Sequence, residues 1–454
     1  MSFPANLFDG ETFAVVGLGR NGLPAARALR AMGAAVRAWD DDAAARAQAI
    51  AAGIAVGEPS LDGVSALVLS PGIPHIRPQP HPIAARARAA GVPILSDADL
   101  LFRAVRAAGS RARFVGVTGT NGKSTTTALL AHILAEAGVP VAAGGNLGTA
   151  ALALDLLGDD GVYVLEMSSY MLERLATLRF DTAVLLNLSP DHLDRHGDMA
   201  GYARAKRAVF DRQGAADCAV IGVDDAPSRE MARELRGHPA RVVTISAERL
   251  ADVCAGGGIV RDSAGAIYDL GKARALPGAH NAQNAAAAAA IALALGMDRA
   301  AIARGMASYP GLPHRQELVG ARGGVAFVND SKATNAESAA RALACYDRVV
   351  WIAGGIAKAG GIESLSPLFP RVAQAFLIGR DSAMLAATLA AHEVPHREVG
   401  TLDRAVACSW QAAQNGAANI VLLSPACASW DQFSGFDARG DRFRDLVQQL
   451  AEAA

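Results

Sequence analysis

Short apolar runs alternate with amphipathic stretches along most of the chain. Residues 13–16 read as a strand, a glycine turn follows, and residues 23–32 space their apolar side chains as a helix does. Ala35–Trp39 is a second strand-sized run ending at Asp40, and Ala66–Leu69 a third ending at Ser70-Pro71-Gly72. Residues 96–105 read as a helix, and the basic stretch 103–113, which contains Gly109 and Ser110, as a linker. A second block opens at Phe114: strand 114–117, a glycine loop, helix 124–137, then apolar runs at 162–165, 182–186 and 218–221. A third opens near Pro310-Gly311-Leu312-Pro313, with strands expected at 326–329, 349–353, 375–378 and 419–423. Strands alternating with helices in all three blocks predict an α/β protein with largely parallel sheets. The expected domains are residues 1–108, 109–309 and 310–454.

Length and charge narrow the function classes. A chain of 454 residues, 51% hydrophobic and 19% charged, is long enough for several packed cores and unlike a disordered chain. Its net charge of −1 gives no global basic field, so neither nucleic acid nor an anionic membrane is an expected partner. The longest apolar run, residues 285–296, falls short of the roughly 20 residues that span a bilayer, and its alanines suit a buried helix. The N-terminus lacks the basic-then-apolar layout of a signal peptide. Five scattered cysteines without a CxxC imply neither a disulfide framework nor a zinc site, and a reducing cytoplasm is the expectation.

Two glycine-rich turns carry the chemistry. Gly17-Leu18-Gly19-Arg20-Asn21-Gly22 follows a strand, opens a helix and precedes Asp40 by about 20 residues, as in dinucleotide-binding turns. It suits NAD, and equally the diphosphate of a UDP-sugar at a helix N-terminus. Thr118-Gly119-Thr120-Asn121-Gly122-Lys123-Ser124-Thr125 lies between a strand and a helix and reads as a phosphate loop. Backbone N–H groups and Lys123 would neutralise phosphates, and a hydroxyl of Ser124 or Thr125 would hold Mg²⁺. Val117 stands where the usual phosphate-loop pattern has its first glycine. Glu166, ending an apolar strand, is a candidate Mg²⁺ ligand.

The variant Thr118–Thr125 resembles the loop of the Mur and folylpolyglutamate ligases, and further segments extend the resemblance to the Mur ligases over most of the chain. The resemblance implies three domains: a Rossmann-like domain for a UDP-linked substrate, a central P-loop ATPase domain, and a Rossmann-like C-terminal domain for the incoming amino acid. It implies ATP and Mg²⁺ as cofactors and a monomer. ATP would be held by Gly119, Thr120, Asn121, Gly122, Lys123, Ser124 and Thr125, by Asn281 and Asn284 of the His280–Asn284 segment, by Arg315 and by Asp330. Asparagines at that helix start also suit a capping role. The UDP-substrate would meet Gly19, Arg20, Asn21, Asp40, Ser70, Pro71, Gly72 and Asn146. Metal would be held by Ser124, Glu166, His192 and Lys206, the lysine as a carbamate, with Lys123, His192 and Lys206 the catalytic set.

Asp330-Ser331-Lys332-Ala333-Thr334-Asn335 and the segment from Leu423 to Phe433, with Phe436 and Arg439-Gly440, resemble the member of the family that adds D-glutamate to UDP-N-acetylmuramoyl-L-alanine. Lys332, Thr334, Lys358, Ser429 and Phe436 would hold the glutamate. Ala357 and Ala359 depart from the family pattern, which has Asp and Gly there, and weaken the case for Lys358. A nicotinamide dehydrogenase, a P-loop NTPase switch, a UDP-sugar sensor and a folylpolyglutamate-type ligase are the rival readings. The first leaves Thr118–Thr125 idle, and the last is opposed by the C-terminal segments.

Overall fold

The computed structural model describes residues 1–146, 148–273, 275–276, 278, 280–358 and 360–452, and the side chains of all of these except His280, Ala451 and Glu452. The Ala359 departure therefore lies outside the described residues. Three sheets form. The first is parallel, in spatial order Ala35–Trp39, Thr12–Val16, Ala66–Leu69, Ile94–Leu95. The second has nine strands. Its parallel part runs Val141–Gly145, Val162–Glu166, Arg113–Thr118, Thr182–Leu185, Cys218–Gly222, Arg241–Ser246, Val253–Cys254, and the antiparallel strands Ile259–Asp262 and Gly265–Asp269 follow. The third has six strands in the order Glu317–Arg322, Val325–Asn329, Ile420–Leu423, Val349–Gly354, Val372–Ile378, His396–Gly400, antiparallel only between the first two.

The central strands are apolar because helices cover both their faces. Every residue of Val162–Glu166, Thr182–Leu185, Cys218–Gly222 and Val349–Gly354 is buried, the signature of parallel strands without a wet side. The alanine run lies in the helix His280–Ala294, and residues 285–292 are shielded from solvent as expected. Small side chains there let the helix pack close to the phosphate-loop helix Lys123–Glu136. Among the described residues no helix is long and apolar enough to cross a membrane.

The chain divides into two compact units. Met1–Lys272 and the segment ending at Ser308 carry the first two sheets; the chain from Tyr309, with a short piece after Lys272, carries the third. Within the first unit the two sheets are joined at the N-terminus of the helix Asp97–Ala107. Buried Asp99 accepts hydrogen bonds from the backbone N–H groups of Ala176 (2.9 Å), Thr177 (2.7 Å) and Leu178 (2.8 Å). This helix extends into the stretch read as a linker. Arg103 pairs with Glu11, and Arg106 donates to the carbonyls of Ser110 and Ala112. Those basic residues fasten the connection instead of keeping it loose.

Candidate active site

The strand Arg113–Thr118 ends among buried neighbours, and the loop that follows must turn sharply into the helix Lys123–Glu136. Gly122 takes φ 85°, which a side chain would strain, and a β-carbon there would also collide with the Asn284 amide. The loop is braced by its surroundings. Asn121 N–H donates to Asn187 Oδ1 (2.9 Å), and Asn187 Nδ2 donates to Gln283 Oε1 (2.8 Å). The Thr120 hydroxyl lies 3.2 Å from the Tyr202 hydroxyl. Thr126 donates to Asn284 Oδ1 (3.3 Å), and Asn284 donates to Asn281 Oδ1 (3.0 Å), so both helix asparagines sit beside the loop.

Two lysines converge on one carbonyl. Lys123 Nζ donates to Gly119 O (2.9 Å) and Thr120 O (2.8 Å); Lys206 Nζ, on the helix Met199–Arg207, donates to Gly119 O (2.8 Å). Lys206 is only 2% exposed. Burial, reinforced by the charge of Lys123, pushes its pKa well below the usual lysine value, against the opposing pull of Asp191 and Glu166. A lysine so placed holds its amine neutral far more readily than a surface lysine does.

Glu166, the last residue of its strand and 2% exposed, accepts from Asn146 Nδ2 through Oε1 (2.7 Å). Its Oε2 is buried with no hydrogen-bond partner. A buried carboxylate oxygen left unmatched is costly, and a hard cation removes that cost. Among the described residues no three His, Cys, Asp or Glu side chains cluster as a metal cage. Ser124, buried at the start of the loop helix, and Glu166 are oxygen donors of the right kind.

His192 adopts φ 52°, a left-handed backbone uncommon for a residue with a β-carbon. Its ring lies 5.1 Å from that of Tyr170 and its Nε2 3.4 Å from Asp191 Oδ2. Burial lowers its pKa, against the opposing pull of Asp191.

The first glycine turn is closed by Asp40, which accepts from Leu18 N–H through Oδ2 and from Asp42 N–H (2.8 Å) through Oδ1. Asn21 Nδ2 reaches Asp97 Oδ2 (3.3 Å) and Gly145 O (3.4 Å), and Arg20 reaches Gly148 O (3.4 Å). Gly19 is exposed, with open space where a β-carbon would stand. Ser70 Oγ donates to Gly17 O (2.9 Å), bringing the Ser70-Pro71-Gly72 loop against the same turn.

In the second unit, the C-terminal ends of the central parallel strands gather the remaining candidates, where open α/β sheets bind ligands. Lys332 Nζ lies 5.1 Å from the Phe436 ring centroid. Asp330 accepts from Ser424 Oγ (2.8 Å) and Gln316 N–H (3.2 Å), and its burial pushes its pKa up to about 7. Arg439, 1% exposed, donates to Ser331 Oγ (3.0 Å), Ser331 O (2.9 Å) and Cys427 O (3.1 Å). It thus fastens the Lys332 loop to the loop of Ser429. Ser429 is buried, Thr334 is half-buried and Lys358 is exposed.

Residues 117–292 match the Mur ligase middle domain, and residues 314–427 match the Mur ligase glutamate ligase domain. The UDP-N-acetylmuramoylalanine--D-glutamate ligase of Paramagnetospirillum magneticum is 53% identical over 449 residues, 97% of each chain. The chain belongs to the Mur ligase family. The corresponding enzyme of Caulobacter vibrioides is 48% identical over 460 residues, 98% of each chain. The fold also matches the crystal structure of MurF from Acinetobacter baumannii, with TM-score 0.61 at 17% identity, covering 96% of this chain and 93% of that one.

In this Mur ligase, Lys123, Ser124, Asn281, Asn284, Glu166, His192 and Lys206 come from sequence positions far apart and lie in one unit with both glycine turns. Asn146 donates to Glu166 just past the edge strand Val141–Gly145, whose last carbonyl Asn21 reaches. Arg315, Asp330, Lys332, Thr334, Lys358, Ser429 and Phe436 lie in the other unit. Sequence reasoning missed Tyr202 as a loop brace, Asn187 and Gln283 as a linked pair, and Arg174. Arg174 lies in no segment that the sequence singled out, and each of the four acts through a partner more than 60 residues away.

Proposed function

We propose that the protein joins the L-alanine carboxylate of UDP-N-acetylmuramoyl-L-alanine to the amine of D-glutamate, converting ATP to ADP and phosphate. The carrying observation is the phosphate loop with two lysines on Gly119 O beside the unmatched Glu166 Oε2, in a chain whose relatives at 53% and 48% identity are D-glutamate ligases. A carboxylate oxygen of the substrate attacks the γ-phosphorus, the bond to the bridging oxygen breaks, and ADP leaves. The glutamate amine then attacks the acyl carbon, phosphate departs with the former carboxylate oxygen, and the nitrogen loses a proton. The work of the chain is positioning and charge neutralisation.

Lys123 follows the developing charge on the transferred phosphoryl group, and Arg315 is assigned to the same phosphates. His192 orients the reacting groups. Ser124, Glu166, His192 and Lys206 would hold Mg²⁺, which when bound would supply further charge neutralisation. Lys206 acts as a carbamate. Its neutral amine is the form that adds to CO₂, releasing a proton, and the product exchanges repulsion from Lys123 for attraction. Gly19, Arg20, Asn21, Asp40, the Ser70-Pro71-Gly72 loop and Asn146 take the UDP-sugar; Lys332, Thr334, Lys358, Ser429 and Phe436 take the glutamate. Action as a cytoplasmic monomer, with no nucleic acid or membrane partner, completes the reading. Phosphate release that requires ATP, UDP-N-acetylmuramoyl-L-alanine and D-glutamate together is the expected result. Nucleotide turnover indifferent to the other two would favour a plain P-loop NTPase.

A further inference from the structure

Arg174 sits just beyond the short helix Ser169–Leu172, which follows Glu166, and is 3% exposed. Its guanidinium is spent on the loop of residues 69–73 in the first sheet. Nη1 donates to Leu69 O (2.7 Å) and Ser70 O (2.9 Å), and Nη2 donates to Ile73 O. Its Nε lies 3.4 Å from His75 Nδ1. A second arginine approaches from the other catalytic segment. Arg195, three residues after His192, places Nη2 3.4 Å from both Ile73 O and His75 Nδ1. Burial and these two cations hold His75 neutral, with its pKa lowered to about 4, so Nδ1 serves as the acceptor.

The gripped loop is the one that rests on the first glycine turn. Ser70 Oγ donates to Gly17 O, and a β-carbon at Gly17 would meet Ser70 Cβ and Ile73 Cδ1 at 2.6 Å. A continuous path therefore runs from the ends of the Glu166 and His192 segments, through two guanidinium groups, to the turn assigned to the UDP-substrate. Stability alone does not call for this arrangement. Burying a guanidinium on backbone carbonyls lowers the Arg174 pKa to about 9 through desolvation, and an apolar side chain of similar volume would often serve packing better. The planar fork of arginine instead fixes several carbonyls of one loop at once.

We propose that Arg174, assisted by Arg195, is a positioning residue for the UDP-linked substrate. It sets the shape of residues 69–73 from the catalytic sheet, so that the diphosphate turn and the phosphate loop are held in register. This inference rests on the proposed ligase reaction. The test is steady-state kinetics on the full chain with each substrate varied in turn, for wild type, Arg174→Ala and Arg174→Lys, with thermal melts alongside. Wild-type turnover checks the ligase reading by itself: its absence refutes that reading, whatever the variants do. Given wild-type activity, Arg174→Ala is expected to raise KM for UDP-N-acetylmuramoyl-L-alanine at least about tenfold while KM for ATP stays within about twofold, the scale of losing charged hydrogen bonds. Arg174→Lys, which keeps the charge and the stem, also shows the raised KM, because one ammonium does not span the carbonyls of residues 69 to 73. An unchanged KM for the UDP-substrate in either folded variant overturns the proposal. So does a parallel rise in all three KM values, or full rescue by lysine. If Arg174→Ala does not fold, Arg174→Lys decides alone on the same criteria.

Discussion

Replacing Lys206 separates stability from catalysis. Lys206→Ala removes three buried methylenes, about 0.8 kcal/mol each or ~2.4 kcal/mol in all. In the protein before carbamylation, the amine lost with them is a buried group opposed by Lys123, so its removal returns part of that cost. Gly119 O keeps Lys123 as a donor at 2.9 Å, so no carbonyl is orphaned. The net destabilisation should be about 1 kcal/mol, read as a small shift in a urea midpoint. Turnover should nevertheless fall at least about a hundredfold, the scale of losing a preorganised charged group. Short carboxylic acids that fill the vacated space should restore part of it. Lys206→Arg should not recover activity, since a guanidinium stays charged and forms no such carbamate. It should also destabilise by about 3 kcal/mol, because a fixed charge is buried beside Lys123. Phosphate release and urea unfolding on the same preparations give both readouts. Full activity in Lys206→Arg would show that a positive side chain is all the position needs, and would refute the carbamate reasoning.

Further outcomes follow from the same geometry. Lys123→Ala should lower turnover at least about a hundredfold in a folded protein, because its ammonium sits over the loop where phosphoryl charge develops; near-normal phosphate release would remove the ATP assignment. Gly19→Val should fold normally, since nothing lies within 4 Å of a β-carbon there, yet weaken calorimetric binding of UDP-N-acetylmuramoyl-L-alanine while ATP binding is nearly intact. His75, with a native pKa of about 4, binds its proton less readily folded than unfolded. Its contribution is therefore complete above pH 6.5 and is lost as pH falls from about 6.5 to 4, by about 3 kcal/mol. His75→Gln should flatten that part of the urea-midpoint profile, and an unchanged slope would contradict the assignment.

The central strands were legible because burial on both faces makes them continuous apolar runs: Val162–Glu166 and Val349–Gly354 lie within a residue of their expected ends. Strands at or near sheet edges escaped. Val141–Gly145 is only alanine, glycine and one valine, and His396–Gly400 is mostly polar and half exposed. The antiparallel pair Ile259–Asp262 and Gly265–Asp269 lies in a glycine-rich stretch without a strong period. At the site, the loop residues 118–125 announced themselves because phosphate binding demands that local sequence. Arg174 did not, because its role exists only once residues about 100 apart are brought together. The same holds for Asp99, whose partners at 176–178 join the first two sheets.

The central claim is that the substrate carboxylate, not water, attacks the γ-phosphate of ATP. Its most direct test uses UDP-N-acetylmuramoyl-L-alanine carrying ¹⁸O in the L-alanine carboxylate, with D-glutamate and unlabelled ATP, followed by mass analysis of the released phosphate. Formation and breakdown of an acyl phosphate leaves one carboxylate oxygen on each phosphate, so fully labelled substrate should give one ¹⁸O per phosphate formed. Unlabelled phosphate released in step with amide product would contradict the account.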